Sequence, residues 1–476
     1  MVKIEKNDLQ GIIVRGYAEL PAACFLLLKI QDASKAKIWL KRISEKITPG
    51  DAKPTVSAIN IAFTYQGLEH LGLNEKTLET FPIELEDGMC TKHRQEMLGD
   101  YGSSDPSLWQ WGGTSNQSID ILIMLYAVDE TELNSQAGAL KTSFESDGLM
   151  LLNHLDASNL IERKEHFGFR DGIAQPTIDG LGRIDSEGNT LAAGEFILGY
   201  NNEYNQLPDS PSVDAELDKA NLLKPIAENS AQKNLGMNGT YLVFRQLEQN
   251  VESFWRYMED QTDHSDSTTN VNEMISLASK MVGRWPSGAP LVLSHQVDNP
   301  ALGERDDFGY KKTDLEGIKC PFGAHIRRSN PRDAVDRGIK GAEKIANKHR
   351  ILRRGRVYGK PVVESMNPEE ILKSKDFSGE RGLYFICLNS DFNRQFEFVQ
   401  NFWINNPKFD GLYDERDPLC GNHSNIYESN STGTFSAQGE TIRKRYTNIP
   451  EFVTVKGGAY FFLPSISALK FIAQLT

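Results

Sequence analysis

The stretch Cys24–Ile30, CFLLLKI, is apolar at almost every position and is bounded by Pro21 and Asp32. A run this short, closed off by breakers, reads as a buried strand rather than a helix. Ala33–Ile43 follows at once, with Ala36, Trp39, Leu40 and Ile43 on one helical face. Strand then helix recurs at Asp120–Tyr126 (DILIMLY) and Glu130–Leu140. The second half repeats the rhythm. Thr240–Phe244 (TYLVF) precedes a helix start at Val251–Met258, and Leu383–Leu388 (LYFICL) precedes Asn393–Trp403. Phe25 and Trp39 are fourteen positions apart, as are Tyr241 and Trp255. Two strand–helix units per half predict a duplicated α+β chain. Its expected form is two ferredoxin-like α/β-sandwich halves with antiparallel sheets, residues 1–225 and 226–476. The polar, proline-bearing Glu203–Val213 (EYNQLPDSPSV) marks the surface connection between them. Ile12–Val14 reads as an opening strand, and the C-terminal ISALKFIAQLT as a last packed helix.

The chain has 476 residues, enough for two modest units with real cores. Its 52 basic and 65 acidic residues leave a net charge of −13. An acidic surface argues against nucleic acid and anionic membrane as partners. Cys24, Cys90, Cys320, Cys387 and Cys420 are far apart and form no CxxC pair, which disfavours a disulfide framework or structural zinc. Sparse thiols fit a reducing compartment, and the N-terminus MVKIEKNDLQG has no apolar signal core and no twin arginine. The expected location is cytoplasmic. No stretch reaches the roughly 18 apolar residues that span a bilayer. A homodimer is the default expectation for assembly.

Three segments carry chemistry. In Glu165–Pro176, EHFGFRDGIAQP, Gly168 and Gly172 flank Asp171 in a GxxDG pattern. Glycines there allow a tight turn and close approach of backbone to a flat ligand. The aspartate can be an acid, a base or an Asx-turn residue. In Cys320–Arg332, CPFGAHIRRSNPR, His325 lies between a small-residue turn and Arg327, Arg328 and Arg332. Imidazole is a standard axial haem ligand, and arginines suit haem propionates. His166, beside the GxxDG motif, is the rival ligand. Arg350–Gly359, RILRRGRVYG, brings Arg353 and Arg354 ahead of Gly355. An arginine beside bound peroxide stabilises the charge that develops as the O–O bond breaks.

Together these segments resemble the dye-decolorising peroxidases, in particular the larger-bodied branch. The matching pieces are GFRDG at 168–172, GEFILGY at 194–200, NGTYLVFR at 238–245, GRW at 283–285, CPFGAHIRRSNPR at 320–332 and ILRRG at 351–355. NIAFTYQGLEHLGL at 60–73 and FVTVKGGAYFFLPS at 452–465 extend the match to nearly the full length. The resemblance implies a haem b cofactor in the C-terminal half of a two-part ferredoxin-like fold. It implies His325 as axial ligand, Asp171 and Arg353 on the distal face, and Arg332 at a propionate. Leu383 and Phe385, which alternate along one strand, match apolar positions that shield the distal pocket. The implied activity is reduction of hydrogen peroxide with oxidation of dyes, phenols or other organic donors. Asp171 would relay the proton between the two peroxide oxygens and Arg353 would stabilise the leaving one.

The axial imidazole is expected to hand its second N–H to a carboxylate. The resemblance points to Glu397, at the margin of the helical face formed by Phe396, Val399 and Trp403, with Asp391 as the alternative. Some relatives carry an asparagine where this chain has Gly355, so Asp171 and Arg353 are the only polar distal groups expected. A haem-binding or haem-handling protein with incidental peroxidase activity is the competing reading. Asp171 and Arg353, which binding alone does not require, favour the enzyme.

Overall fold

In β1 (Ala22–Ile30) successive side chains enter two different apolar surroundings. Cys24, Leu26, Leu28 and Ile30 pack beneath helices, while Ala23, Phe25 and Leu27 face a second core. With both faces covered, the strand is apolar at every position but Lys29 instead of alternating. The helices above it are α1 (Ala33–Ser44) and α2 (Glu130–Phe144), which contribute Ala36, Trp39, Leu40 and Ile43, and Leu133, Ala137 and Phe144. Each begins on an aspartate cap: Asp32 accepts from the Lys35 N–H and Asp129 from the Glu132 N–H. This computed structural model describes residues 3–159, 161–182, 189–228, 230–262, 267–335, 339–424, 433–439 and 441–475.

The first half adds β2 (Ser57–Phe63), β3 (Ile121–Ala127) and β4 (Leu149–Ala157), ordered β2-β3-β1-β4 and all antiparallel. The second half contains β5 (Thr240–Gln249), α3 (Val251–Asp260), α4 (Ser267–Val282), β6 (Leu352–Arg353), β7 (Arg356–Tyr358), β8 (Gly382–Asn389) and β9 (Val453–Leu463). There β8 pairs with β5 and β5 with β9, and the short β6 and β7 pair with the far side of β8. With β6 and β7 taken together as one interrupted strand, each half therefore runs second, third, first, fourth. That is the ferredoxin-like order, and the fold is α+β with a duplicated unit.

The halves meet along both edges. Phe462 of β9 pairs with Phe63 of β2, and a lone bridge joins Ser158, just past β4, to Val357 of β7. Between the sheets lies an aromatic core in which Phe25 and Phe244 stand 5.2 Å apart, Phe25 and Tyr384 5.6 Å, and Trp111 and Phe244 4.9 Å. The equal spacing of Phe25–Trp39 and Tyr241–Trp255 is not an equivalence. Phe25 faces this inter-sheet core, whereas Tyr241 points to the helix side and packs on Phe392.

Two local readings are corrected. Ile12–Val14 is part of a helical turn, Gly11–Val14, not a strand; its apolarity reflects full burial of Ile12 and Ile13. Asn393–Trp403 is helical but wide-turned, in two segments, Asn393–Glu397 and Val399–Ile404. Among the described residues no helix is long and apolar enough to cross a membrane.

Candidate active site

The outer face of the C-terminal sheet is the floor of a cavity. Arg245 and Leu247 come from β5, Leu383 and Phe385 from β8, and Val453 and Val455 from β9. Alternation along β8 explains the pair, since Tyr384 and Ile386 turn into the inter-sheet core. The walls are the Glu165–Ala174 loop, Phe396, Val399 and Ile404 of the wide-turned helix, and the loop around Cys420.

His325 starts a short helix, His325–Ser329, and its ring lines the cavity. Its Nδ1–H donates to Asp417 Oδ2 at 2.9 Å. Asp417 is fully buried, and its Oδ1 accepts the backbone N–H groups of Leu419 (2.9 Å) and Cys420 (3.0 Å). Burial works to raise the Asp417 pKa. The charge and hydrogen bond of His325, with the Cys420 N–H, outweigh it and hold the carboxyl at about 2. Asp417 therefore stays ionised, and Nδ1 is committed to it. Nε2 is the nitrogen left for a ligand in the cavity.

His166 does not compete. It is fully buried away from the cavity lining, and its Nε2 bonds the Tyr358 carbonyl oxygen at 2.8 Å. Burial pushes its pKa down to about 4. The expectation that Glu397 meets His325 is corrected. Glu397 Oε2 accepts from Arg94 Nη1 at 2.7 Å and Oε1 accepts from the Tyr460 hydroxyl at 2.8 Å. Asp391, the alternative, accepts the Arg394 N–H at 2.9 Å. The helix that carries Glu397 is also wide-turned. Glu397 N–H donates to Phe392 O at 2.8 Å and Asn405 N–H to Gln400 O at 3.0 Å, i to i−5 steps that rotate side chains away from 3.6-residue faces. Phe396 and Val399 line the cavity, Trp403 packs on His349, and Glu397 turns to Arg94.

Asp171 and Arg353 line the same cavity as His325. Arg353 Nη1–H donates to Asp171 Oδ1 at 2.7 Å, and the Arg353 backbone N–H donates to Gln175 Oε1 at 2.9 Å. The loop carrying Asp171 is tied down from within. Glu165 accepts the N–H groups of Phe167 and Phe169, each at 2.9 Å, and the Asp171 N–H donates to Arg163 O at 2.9 Å. Gly168 has φ +95°, and a Cβ there would lie 3.1 Å from Pro368 Cγ, so the motif glycine serves a left-handed turn against a close neighbour. Burial raises the Asp171 pKa, but the Arg353 charge and the Gly172 N–H outweigh it, and the carboxyl is lowered. A Cβ on Gly355 would lie 2.6 Å from Tyr384 O, so no side chain fits at that position without a backbone shift.

Of the three arginines after His325, two are structural. Arg327 donates to Asp314 and to Cys320 O and lies over the Tyr310 ring at 4.4 Å. Arg328 donates to the carbonyl oxygens of Trp403 (2.6 Å) and Asn406 (3.2 Å). Only Arg332 lines the cavity. It donates to Asp306 O at 2.7 Å and Phe308 O at 3.1 Å, pairs with the Asp306 carboxylate, and stacks over Phe308 at 4.0 Å. Arg284, from the GRW segment, shares Asp306 at 2.8 Å and also lines the cavity. The donor set fits a haem: one imidazole with its second nitrogen secured, a floor carrying Leu247, Leu383, Phe385, Val453 and Val455, and two held guanidiniums for propionates.

Sequence reasoning missed Asp417, Cys420, Arg284 and Asp306. Arg284 was quoted within GRW, but nothing there distinguishes it from a solvated arginine. Asp417, in RDPLC, has the neighbours of any turn aspartate, and its partner is 92 positions away.

The chain is 32% identical over 499 residues to a multifunctional dye peroxidase of Amycolatopsis, covering 99% of this chain and 94% of that protein. It is 29% identical over 490 residues to a dye-decolorizing peroxidase of Mycetinis scorodonius, covering 98% and 88%. A solved dye-decolorizing peroxidase in complex with 2,6-dimethoxyphenol superimposes with a TM-score of 0.78 at 25% identity, over 99% of this chain and 100% of that one. No family model matches the chain.

Proposed function

The chain belongs to the dye-decolorising peroxidase family and is a haem peroxidase; from that premise we propose that His325 holds the iron through Nε2 while Asp171 and Arg353 cleave hydrogen peroxide. The observation that carries this division is the 2.7 Å Asp171–Arg353 pair in the same cavity as an imidazole secured on Asp417. A haem held there would supply the iron redox chemistry that peroxide reduction needs.

Asp171 takes the proton from the inner peroxide oxygen and returns it to the outer one, so the outer oxygen departs as water and the carboxylate ends as it began. Its lowered pKa keeps the base form populated on the acid side of neutrality. Arg353 spends one N–H on Asp171 and offers others to the departing oxygen as negative charge grows there. Leu383 and Phe385 present only carbon to this region and keep bulk water from it. Arg332 and Arg284, each fastened to Asp306, would hold the propionates. Phenols and dyes are the electron donors, in keeping with the relative that binds 2,6-dimethoxyphenol.

Haem carriage alone has no use for a carboxylate–guanidinium pair at this place, which favours turnover over haem handling. The test is peroxide-dependent oxidation of 2,6-dimethoxyphenol by the haem-loaded protein. Asp171→Asn is expected to cut the rate about 10²- to 10⁴-fold with an unchanged Soret band. Haem binding without any peroxide-dependent oxidation in the parent protein would support the carrier reading instead.

A further inference from the structure

The buried carboxylate behind His325 is crowded on one oxygen. Asp417 Oδ1 accepts the N–H groups of Leu419 and Cys420, and the Cys420 sulfur lies 3.6 Å from the same oxygen. Among the described residues, Asp417 Oδ2 accepts from His325 Nδ1–H alone, at 2.9 Å. The sulfur is also 3.7 Å from His325 Nδ1 and lines the cavity. His325, Asp417 and Cys420 thus bring one nitrogen, one oxygen and one sulfur within 4.8 Å of one another. The two backbone donors are fixed by the turn. The thiol is the one donor to Oδ1 that a side-chain change can remove.

We propose that Cys420 is a positioning residue for the axial histidine, its S–H setting how strongly Asp417 draws on the imidazole proton. The proposal rests on the reading that His325 Nε2 binds the iron. A carboxylate divides its negative charge among its donors, so each donor on Oδ1 weakens Oδ2 as an acceptor. A weaker Oδ2 pulls less on Nδ1–H and leaves the imidazole less anionic. Axial-ligand basicity is in turn one of the protein's levers on the iron. The S–H is a weak donor, suited to trimming this interaction without competing for the imidazole proton. Removing it should make the imidazole more anionic. That favours ferric over ferrous iron and tightens the iron–histidine bond.

The plainer role for Cys420 is packing, since it sits against the apolar cluster that holds Val399, Trp403 and Ile404. Cys420→Val and Cys420→Thr separate the two, because they share a shape and differ by one hydroxyl donor. In the haem-loaded variants, the ferric/ferrous midpoint potential and the iron–histidine stretching band of the ferrous protein are measured. Cys420→Val is expected to lower the midpoint and raise the band frequency, and Cys420→Thr to bring both back toward the parent. Parent-like values in Cys420→Val, or equal shifts in both variants, would overturn the proposal. If the β-branched pair does not fold, Cys420→Ala and Cys420→Ser make the same comparison. Failure of the underlying ligand reading looks different: the band would persist in His325→Gly.

Discussion

Replacing Arg353 by leucine removes one guanidinium and leaves its strand in place, because the backbone N–H to Gln175 Oε1 does not depend on the side chain. Two consequences separate in size. The ion pair with Asp171 is partly open to the cavity, with side-chain exposures of 28% and 42%, so its loss should cost stability no more than about 1 kcal/mol. The transition state loses a preorganised donor at the departing peroxide oxygen, a deficit of about 3 kcal/mol, or roughly a hundredfold in rate. The pH dependence also moves, in a defined direction. In the parent, the Asp171 carboxyl is lowered because Arg353 and the Gly172 N–H outweigh burial. The base form therefore persists to lower pH than an ordinary aspartate's would, and peroxide cleavage extends further toward acid pH. Without Arg353 the largest lowering influence is gone, the carboxyl rises, and the acid edge shifts to higher pH. Stopped-flow mixing of ferric protein with peroxide, followed at the Soret band from pH 3 to 8, reads both effects. A rate within a factor of three of the parent, with an unmoved acid edge, would refute the role given to Arg353.

Other substitutions probe the corrected assignments. Glu397→Ala strips a counter-charge from the buried Arg94, which keeps Asp87 at 3.2 Å. It should lower stability by about 3 kcal/mol while leaving the Soret band and iron–histidine stretch unchanged, and a displaced stretch would return Glu397 to the axial ligand. His166→Ala should cost about 1–3 kcal/mol through its lost bond to Tyr358 O yet retain haem; loss of the Soret band would reinstate the rival ligand. Gly168→Ala forces a side chain into φ +95° against Pro368, and thermal unfolding should report a drop of about 1–2 kcal/mol, whereas an unchanged Tm would remove the conformational reason for that glycine.

Much of the fold is written in local pattern. Strand–helix alternation with apolar strands is enough for a duplicated α+β chain, because strands covered on both faces cannot carry polar residues at every second position. The closure of the two sheets is not legible, since it rests on single pairings such as Phe462 with Phe63. At the site, His325, Asp171, Arg353, Arg332, Leu383 and Phe385 all line one cavity. Glu397 was expected from the resemblance alone, and nothing in its local sequence shows that its carboxylate is taken by Arg94 and Tyr460, which lie far away along the chain. Asp417 escaped because a loop carboxylate has no periodicity, and only the tertiary fold brings it to His325. Arg327 and Arg328 read as a basic cluster, yet their charges are spent on Asp314 and on carbonyl oxygens.

The central claim is that His325 holds the haem iron. The direct measurement is the optical spectrum and peroxide reaction of His325→Gly, with and without added imidazole. Loss of the parent ferric spectrum and of the peroxide reaction, with both returning as imidazole fills the vacated place beside Asp417, is the predicted result. A His325→Gly protein that keeps the parent spectrum and reacts with peroxide at the parent rate would contradict the account.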